Sequence, residues 1–316
     1  MTHQDFTESE IDELHALSPH FASHEVAIQY LEGLRWPNGP VCPHCGDGPR
    51  EHQRIKAKST RRKLWRCKAC AKQFTVTVGT IFEDSHIDLN KWLLAFYLLS
   101  ASKKGMSALQ IQRMLRLGSY RTAWFMCHRI RESMSEPADR QLVGIVEADE
   151  TYIGGNPRNR HKGQRGTPKR GRGTNKAPVV ALVERGGRVR SAHVANLSGD
   201  KVKSLIRTHV HTDSTIMTDS LGIYRGLDNE FAGHETVNHA HEYVRGNAHT
   251  NTAENFFSLL KRGINGSYHF VSKAHLHRYL NEFDFRYNAR HLTDSERTRL
   301  ALRMTEGKRL MYADSR

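Results

Sequence analysis

Three carboxylates stand where a strand ends or a helix begins. Asp149 follows Val146-Glu147-Ala148, Asp219 follows Thr215-Ile216-Met217-Thr218, and Glu254 falls in the first turn of a helical stretch, Asn251-Thr252-Ala253-Glu254-Asn255. Phosphoryl transfer by paired divalent metals needs carboxylates that converge on ions about 3.5–4 Å apart. Mg²⁺ takes hard oxygen ligands and keeps several waters, so few side chains suffice. Lys261 lies seven positions after Glu254, two turns along the same helix face, within reach of a substrate phosphate. Any one Asp or Glu is ordinarily a surface or capping carboxylate. Placement, spacing and Lys261 together favour a site. Glu147 and Glu150 flank Asp149, and strand alternation turns Glu150 elsewhere. His239, His241 and His249 can crowd the same region, and His249 fits either a direct role or a structural hydrogen bond.

The second constellation is sulfur. Cys42-Pro-His-Cys45 and Cys67-Lys-Ala-Cys70 are separated by 21 residues, close to the spacing of tetrahedral Cys₄ zinc sites. Gly46 supplies the tight backbone that such a knuckle needs. Redox dithiols or unrelated core cysteines are the competing explanations, and His44 is an alternative ligand. Cys127, between Met126 and His128 on a helical stretch, reads as a packed core thiol.

The elements that must position these groups follow from hydrophobic period. Residues 1–35 predict two short helices, the second capped by Ser23, and Trp36-Pro37-Asn38-Gly39-Pro40 ends it. Between residues 41 and 82 lie both CxxC pairs and β-favouring stretches at 63–66 and 73–82. Residues 88–135 predict three helices, with Ser107 capping the second and a Leu117-Gly118-Ser119 turn before the third. From 141 onward the pattern becomes α/β. Strands are expected at 142–148, 178–184, 188–196, 215–218 and 235–239, with helices at 198–210, 221–231, about 250–263 and 272–288. Gly186-Gly187 marks a hairpin. The expected division is 1–85 (leading helices and zinc module), 86–138 (helical segment) and 139–316 (catalytic module).

Charge narrows the partner. Forty-eight Lys and Arg against 33 Asp and Glu give +15, which favours a polyanion because each neutralised phosphate releases a counterion. The segment 156–176 holds eight cations and no acid, so it reads as a loop for phosphate contact through Lys162, Arg165, Lys169, Arg170 and Arg172. It lacks the order of a nucleotide-binding loop. The helices of 107–134 fit a helix-turn-helix, with Arg121 at the start of the second. A plain helical hairpin with a basic face would look the same. The longest apolar run, 92–101, is about half a bilayer span. With its acidic, polar N-terminus the chain is expected to be cytoplasmic and nucleoid-associated, without a membrane partner.

Taken in order, Arg35-Trp36-Pro37, the two CxxC knuckles, Gln73-Phe74-Thr75-Val76, Gly79-Thr80-Ile81-Phe82, Asp149-Glu-Thr-Tyr-Ile-Gly-Gly155 and His249-Thr-Asn-Thr-Ala-Glu254 with Lys261-Arg262-Gly263 resemble the DDE transposases of bacterial insertion sequences. The resemblance is to the group with a zinc ribbon and an RNase H-like core, the insertion sequence fifteen-ninety-five group, and it covers nearly the whole chain. It implies an RNase H-like α/β catalytic domain in which Asp149, Asp219 and Glu254 meet around Mg²⁺ or Mn²⁺. It also implies structural Zn²⁺ on Cys42, Cys45, Cys67 and Cys70, double-stranded DNA as partner (transposon ends and target), and a homo-oligomer. The implied reaction is nicking of transposon ends followed by strand transfer, with Lys261 catalytic and Arg262 on DNA. Some members carry Asn in the third acidic position, and Asn251 and Asn255 flank Glu254. Two other functions fit much of the pattern: a catalytically inactive zinc-ribbon DNA-binding regulator, and a junction-resolving nuclease.

Overall fold

The computed structural model describes residues 17–48, 52–55, 63–137, 139–155, 175–238 and 244–315. They form two compact units. The first gathers residues up to 102, then 106–134 and 291–316, and the second takes 103–105 and 135–290.

In the first unit, helix α1 (His24–Arg35) starts at Ser23, whose hydroxyl accepts the Val26 N–H at 3.3 Å. Three short strands follow, β1 (His52–Arg54), β2 (Trp65–Cys67) and β3 (Gln73–Phe74), paired antiparallel in chain order. The strand expected to run on to residue 82 stops at Phe74. The next carbonyls, of Val76 and Val78, accept from the Arg35 guanidinium at 2.8 and 2.7 Å, so turns replace a ladder. Helix α2 (Leu89–Ala101) buries Trp92, Leu93, Phe96 and Leu99. Helices α3 (Ala108–Leu115) and α4 (Tyr120–Ser133) are capped by Ser107 and Ser119, and Arg116 turns the chain between them at φ +50°. A last helix, α8 (Asp294–Arg303), opens with a capping box formed by Thr293 and Glu296 and packs on α2. Sequence position had assigned this segment to the C-terminal module.

The second unit is built on five strands in the order β6-β5-β4-β7-β8. They are β4 (Ile145–Ile153), β5 (Ala177–Glu184), β6 (Val189–His193), β7 (Thr215–Asp219) and β8 (Gly233–Val237). β5 runs antiparallel to both of its neighbours, β4 and β6, whereas β7 runs parallel to β4 and β8 parallel to β7. The β5–β6 hairpin turns at Gly186, with φ +71°. On one face Val179, Ala181 and Val183 pack against α6 (Asn251–Gly263) and α7 (Leu276–Asn288). On the other, Val146, Ala148, Val180 and Leu182 pack against α5 (Gly199–His209) and two 3-10 turns, Gly222–Tyr224 and Leu227–Asn229. Those turns stand where a helix over 221–231 was expected. Gly226, at φ +86°, breaks the helical path between them. A π turn, Ile264–Tyr268, extends α6. No helix among the described residues is long and apolar enough to cross a membrane.

The end of α6 is held tightly against α7. A Cβ on Gly263 would stand 2.2 Å from Phe283 Cζ and 2.9 Å from the Lys104 carbonyl oxygen. Gly263→Ala should therefore destabilise the second unit by about 1–3 kcal/mol, the range typical of overpacking, despite the better helix propensity of Ala. Denaturant unfolding checks this, and a neutral or stabilising result would contradict the packing.

Candidate active site

The parallel ladder between β4 and β7 runs Ile145↔Thr215 to Ala148↔Thr218. The next residues along each strand are Asp149 and Asp219, so equal register delivers two carboxylates side by side. β7 ends at Asp219, whose Oδ1 accepts the Leu221 N–H at 3.1 Å as the chain turns away. β4 does not end there: antiparallel pairing with β5 carries it to Ile153. Asp149 therefore lies inside a longer strand than the sequence suggested.

Glu150 joins this pair. Carboxylate oxygens of Asp149, Glu150 and Asp219 lie within 4.8 Å of one another. Alternation turns Glu150 to the face of Val146 and Ala148, away from Asp149, and there Tyr224 donates its hydroxyl to Oε2 at 3.0 Å. With β7 stopping at Asp219, a Glu150 oxygen still comes within reach of both aspartates. Burial, and then the nearby acids, push the Tyr224 hydroxyl well above the usual tyrosine range, so it stays a donor.

Glu254 stands in the first turn of α6 and lines an open groove of about 740 Å³ with Asp149, Glu150, Ser258, Lys261 and Arg262. Residues 254, 258, 261 and 265 recur at helical spacing, so one helix face presents the acid at one end and the cations beyond it. Glu254 is not among the three acids within 4.8 Å, yet its charge is felt by Asp149. Asn251 and Asn255 are not among the residues lining the groove. Asp149 is pushed up to about 7, first by burial and then by the charges of Glu150, Asp219 and Glu254, with the Glu150 N–H opposing.

In the first unit, all four knuckle sulfurs lie within 4.8 Å of one another. Cys42–Cys70 and Cys45–Cys67 Sγ separations are both 3.7 Å, far from disulfide length. A tetrahedral ion with sulfurs at about 2.3 Å has edges of about 3.8 Å, so the cluster fits zinc. His44 turns away from it, its Nε2 standing 3.2 Å from the Gln73 carbonyl oxygen. Gly46 takes φ +74° in the first knuckle, and Cys127 is fully buried. Arg121 is exposed at the start of α4. Lys162, Arg165, Lys169, Arg170, Arg172, His239 and His241 lie outside the described residues.

The family model described as an ISXO2-like transposase domain matches residues 141–288, and the transposase zinc-ribbon domain matches residues 22–73. A protein in the transposable element ISH50 of Halobacterium salinarum is 32% identical over 277 residues, covering 84% of this chain and 91% of that one. The chain belongs to the insertion sequence fifteen-ninety-five (IS1595) group of transposases. A transposase-like protein of Haemophilus influenzae is 28% identical over 95 residues, 30% of this chain and 76% of its relative. A chain in the cryo-EM structure of the simian T-cell lymphotropic virus intasome with PP2A regulatory subunit B56 gamma is similar over 63% of this chain and 69% of its own length. Its identity is 13% and its TM-score 0.29.

In this transposase the four clustered cysteines fall within the zinc-ribbon match, which supports structural Zn²⁺. Sequence reasoning missed Tyr224 and the nearness of Glu150 to the pair, because neither the run of β4 past Ala148 to Ile153 nor the 3-10 turn that carries Tyr224 is written in a local pattern.

The Asp149 shift has a stability consequence. A carboxyl that holds its proton more tightly folded than unfolded binds more protons when folded, so stability falls as pH rises from about 4 to about 7. Asp149→Asn removes that dependence. In metal-free protein its melting temperature should exceed wild type at pH 8, by the equivalent of up to about 4 kcal/mol at about 1.4 kcal/mol per unit. The gap should close near pH 4; a pH-independent difference would show that Asp149 is not crowded.

Proposed function

We propose that the chain is a metal-dependent DNA transposase that nicks the ends of its insertion sequence and joins them to target DNA. The observation that carries this is the placement of Asp149 and Asp219 side by side, with Glu254 on the same groove as Lys261 and Arg262. The sheet order, three antiparallel strands followed by two parallel ones with helices on both faces, supports an RNase H-like catalytic core. The proposed functional division keeps ribbon, helical segment and catalytic module as read from the sequence, with α8 returning to the first unit.

Asp149, Asp219 and Glu254 would hold Mg²⁺ or Mn²⁺, and their oxygens are the donor type those ions take. Bound there, the ions supply activation of an attacking water or 3′-hydroxyl and stabilisation of the leaving oxygen. The chain's own residues do the rest. Asp149 must shed its proton to act as a ligand, and the three neighbouring acids hold the cluster ready for positive charge. Lys261 and Arg262 offer cations to the backbone phosphates of a strand lying along α6. Arg121 and the cations of 156–176 add phosphate contacts, the latter giving affinity without sequence preference. Two DNA ends must be held together, so a homo-oligomer on DNA belongs to this proposal. An inactive regulator would have no reason to keep three repelling carboxylates within 4.8 Å.

The test uses purified protein and duplex DNA carrying the element's terminus, with Mg²⁺ present. Asp149→Asn and Asp219→Asn should each lower nicking and joining by about 10³-fold or more, since the ions' contribution amounts to several kcal/mol. DNA affinity should stay within about twofold of wild type, because the basic surface is untouched. Nicking that persists in either variant would overturn the proposal.

A further inference from the structure

Glu147 sits two residues before Asp149 on β4, on the same sheet face, and is completely buried. Its Oε2 accepts the N–H groups of Thr252 at 2.7 Å and Ala253 at 3.0 Å. Its Oε1 accepts from Arg185 Nε at 2.6 Å and from the Thr252 hydroxyl at 3.0 Å. Arg185 also donates to the His249 carbonyl at 3.0 Å, tying down the chain as it enters α6. His249 Nδ1 lies 3.1 Å from Glu147 Oε1, near enough for an ion pair but off the line of a hydrogen bond.

The donors matter more than their number. The first amides of a helix have no partner inside it. Thr250, at the N-cap position of α6, makes no capping bond with its side chain. The cap is supplied instead from another element, more than a hundred residues away, by a carboxylate on the central strand. Ala253 is the residue before Glu254. Whatever fixes the amides of Thr252 and Ala253 to β4 also fixes the root of Glu254 relative to Asp149. Arg185 balances the charge of Glu147, so this anchor does not add to the repulsion among Asp149, Glu150 and Asp219.

A buried carboxylate paired with a partly buried guanidinium makes a poor bargain for stability alone, since apolar groups of similar size often serve as well or better. Orientation is what this pair provides. We propose that Glu147 is a positioning residue: its carboxylate pins the first turn of α6 to β4 and so holds Glu254 toward the site of Asp149 and Asp219. The inference rests on the metal-site reading above. It also gives His249 a structural part, at the entrance to the pinned turn.

The test compares Glu147→Gln, Glu254→Gln and the double variant in the full-length protein. Affinity for Mn²⁺ alone is measured by calorimetry, and amide hydrogen exchange is followed across 250–256. Glu147→Gln keeps the size of the side chain but turns an amide N–H₂ toward groups that already donate. It should speed exchange at Thr252 and Ala253 and weaken Mn²⁺ binding about tenfold or more, the usual effect of losing a partner that orients a ligand. In the Glu254→Gln background the same change should weaken Mn²⁺ by less than about twofold, because it acts through Glu254.

Wild-type Mn²⁺ affinity in a Glu147→Gln protein whose amides exchange faster would overturn the proposal. So would effects of the two substitutions that multiply in full. A Glu254→Gln protein that binds Mn²⁺ like wild type would also overturn it, and would locate the failure in the metal-site reading. If Glu147→Gln does not fold, Thr252→Val replaces it. That variant keeps the backbone amides and loses only the hydroxyl bond to Oε1. It should weaken Mn²⁺ about threefold, in keeping with one hydrogen bond, and only when Glu254 is present; no loss, or the same loss without Glu254, overturns the proposal.

Discussion

Like charges do not gather unless something else holds them. Here the holding is done by backbone hydrogen bonds of the parallel β4–β7 ladder, which bring Asp149 and Asp219 to adjacent positions at the point where β7 stops. The ladder is in turn held by the cores on its two faces, one with α5 and one with α6 and α7. The fold thus supplies the work of bringing acids together, and burial first and the neighbouring acids second push Asp149 up to about 7.

The same strand carries acids in three different conditions. Glu147 is sealed in and balanced by Arg185, Asp149 is crowded among other acids, and Glu150 points to the opposite face, where it meets the Tyr224 hydroxyl. Three glutamates and aspartates within four positions of sequence therefore do different things because of what lies across from each. Lys261 and Arg262 continue along the groove, so acid gives way to base over two turns of α6.

This explains how much could be read before the structure. Asp149, Asp219 and the helix of Glu254 were legible because hydrophobic runs stop at the two aspartates and a helical period starts at the glutamate. The cysteine cluster was legible because CxxC spacing is itself nearly the geometry of two ligands on one ion. The nearness of Glu150 and the contact from Tyr224 were not, since they depend on β4 running on past the end of β7 and on a 3-10 turn more than seventy residues distant. The strand expected over 73–82 was lost to the Arg35 guanidinium, a contact forty residues distant. The helix expected over 221–231 should have been doubted at Gly226, and α8 could have been found from the Thr293-Asp-Ser-Glu296 capping box.

The most direct test of the central claim is a crystal of the protein grown with Mn²⁺ and examined by anomalous scattering at the manganese edge. The account predicts manganese in contact with both Asp149 and Asp219, with Glu254 turned onto the same site and, with DNA bound, a second ion about 3.5–4 Å away. Manganese absent from these carboxylates at millimolar concentration, or bound with Glu254 directed away into solvent, would contradict it.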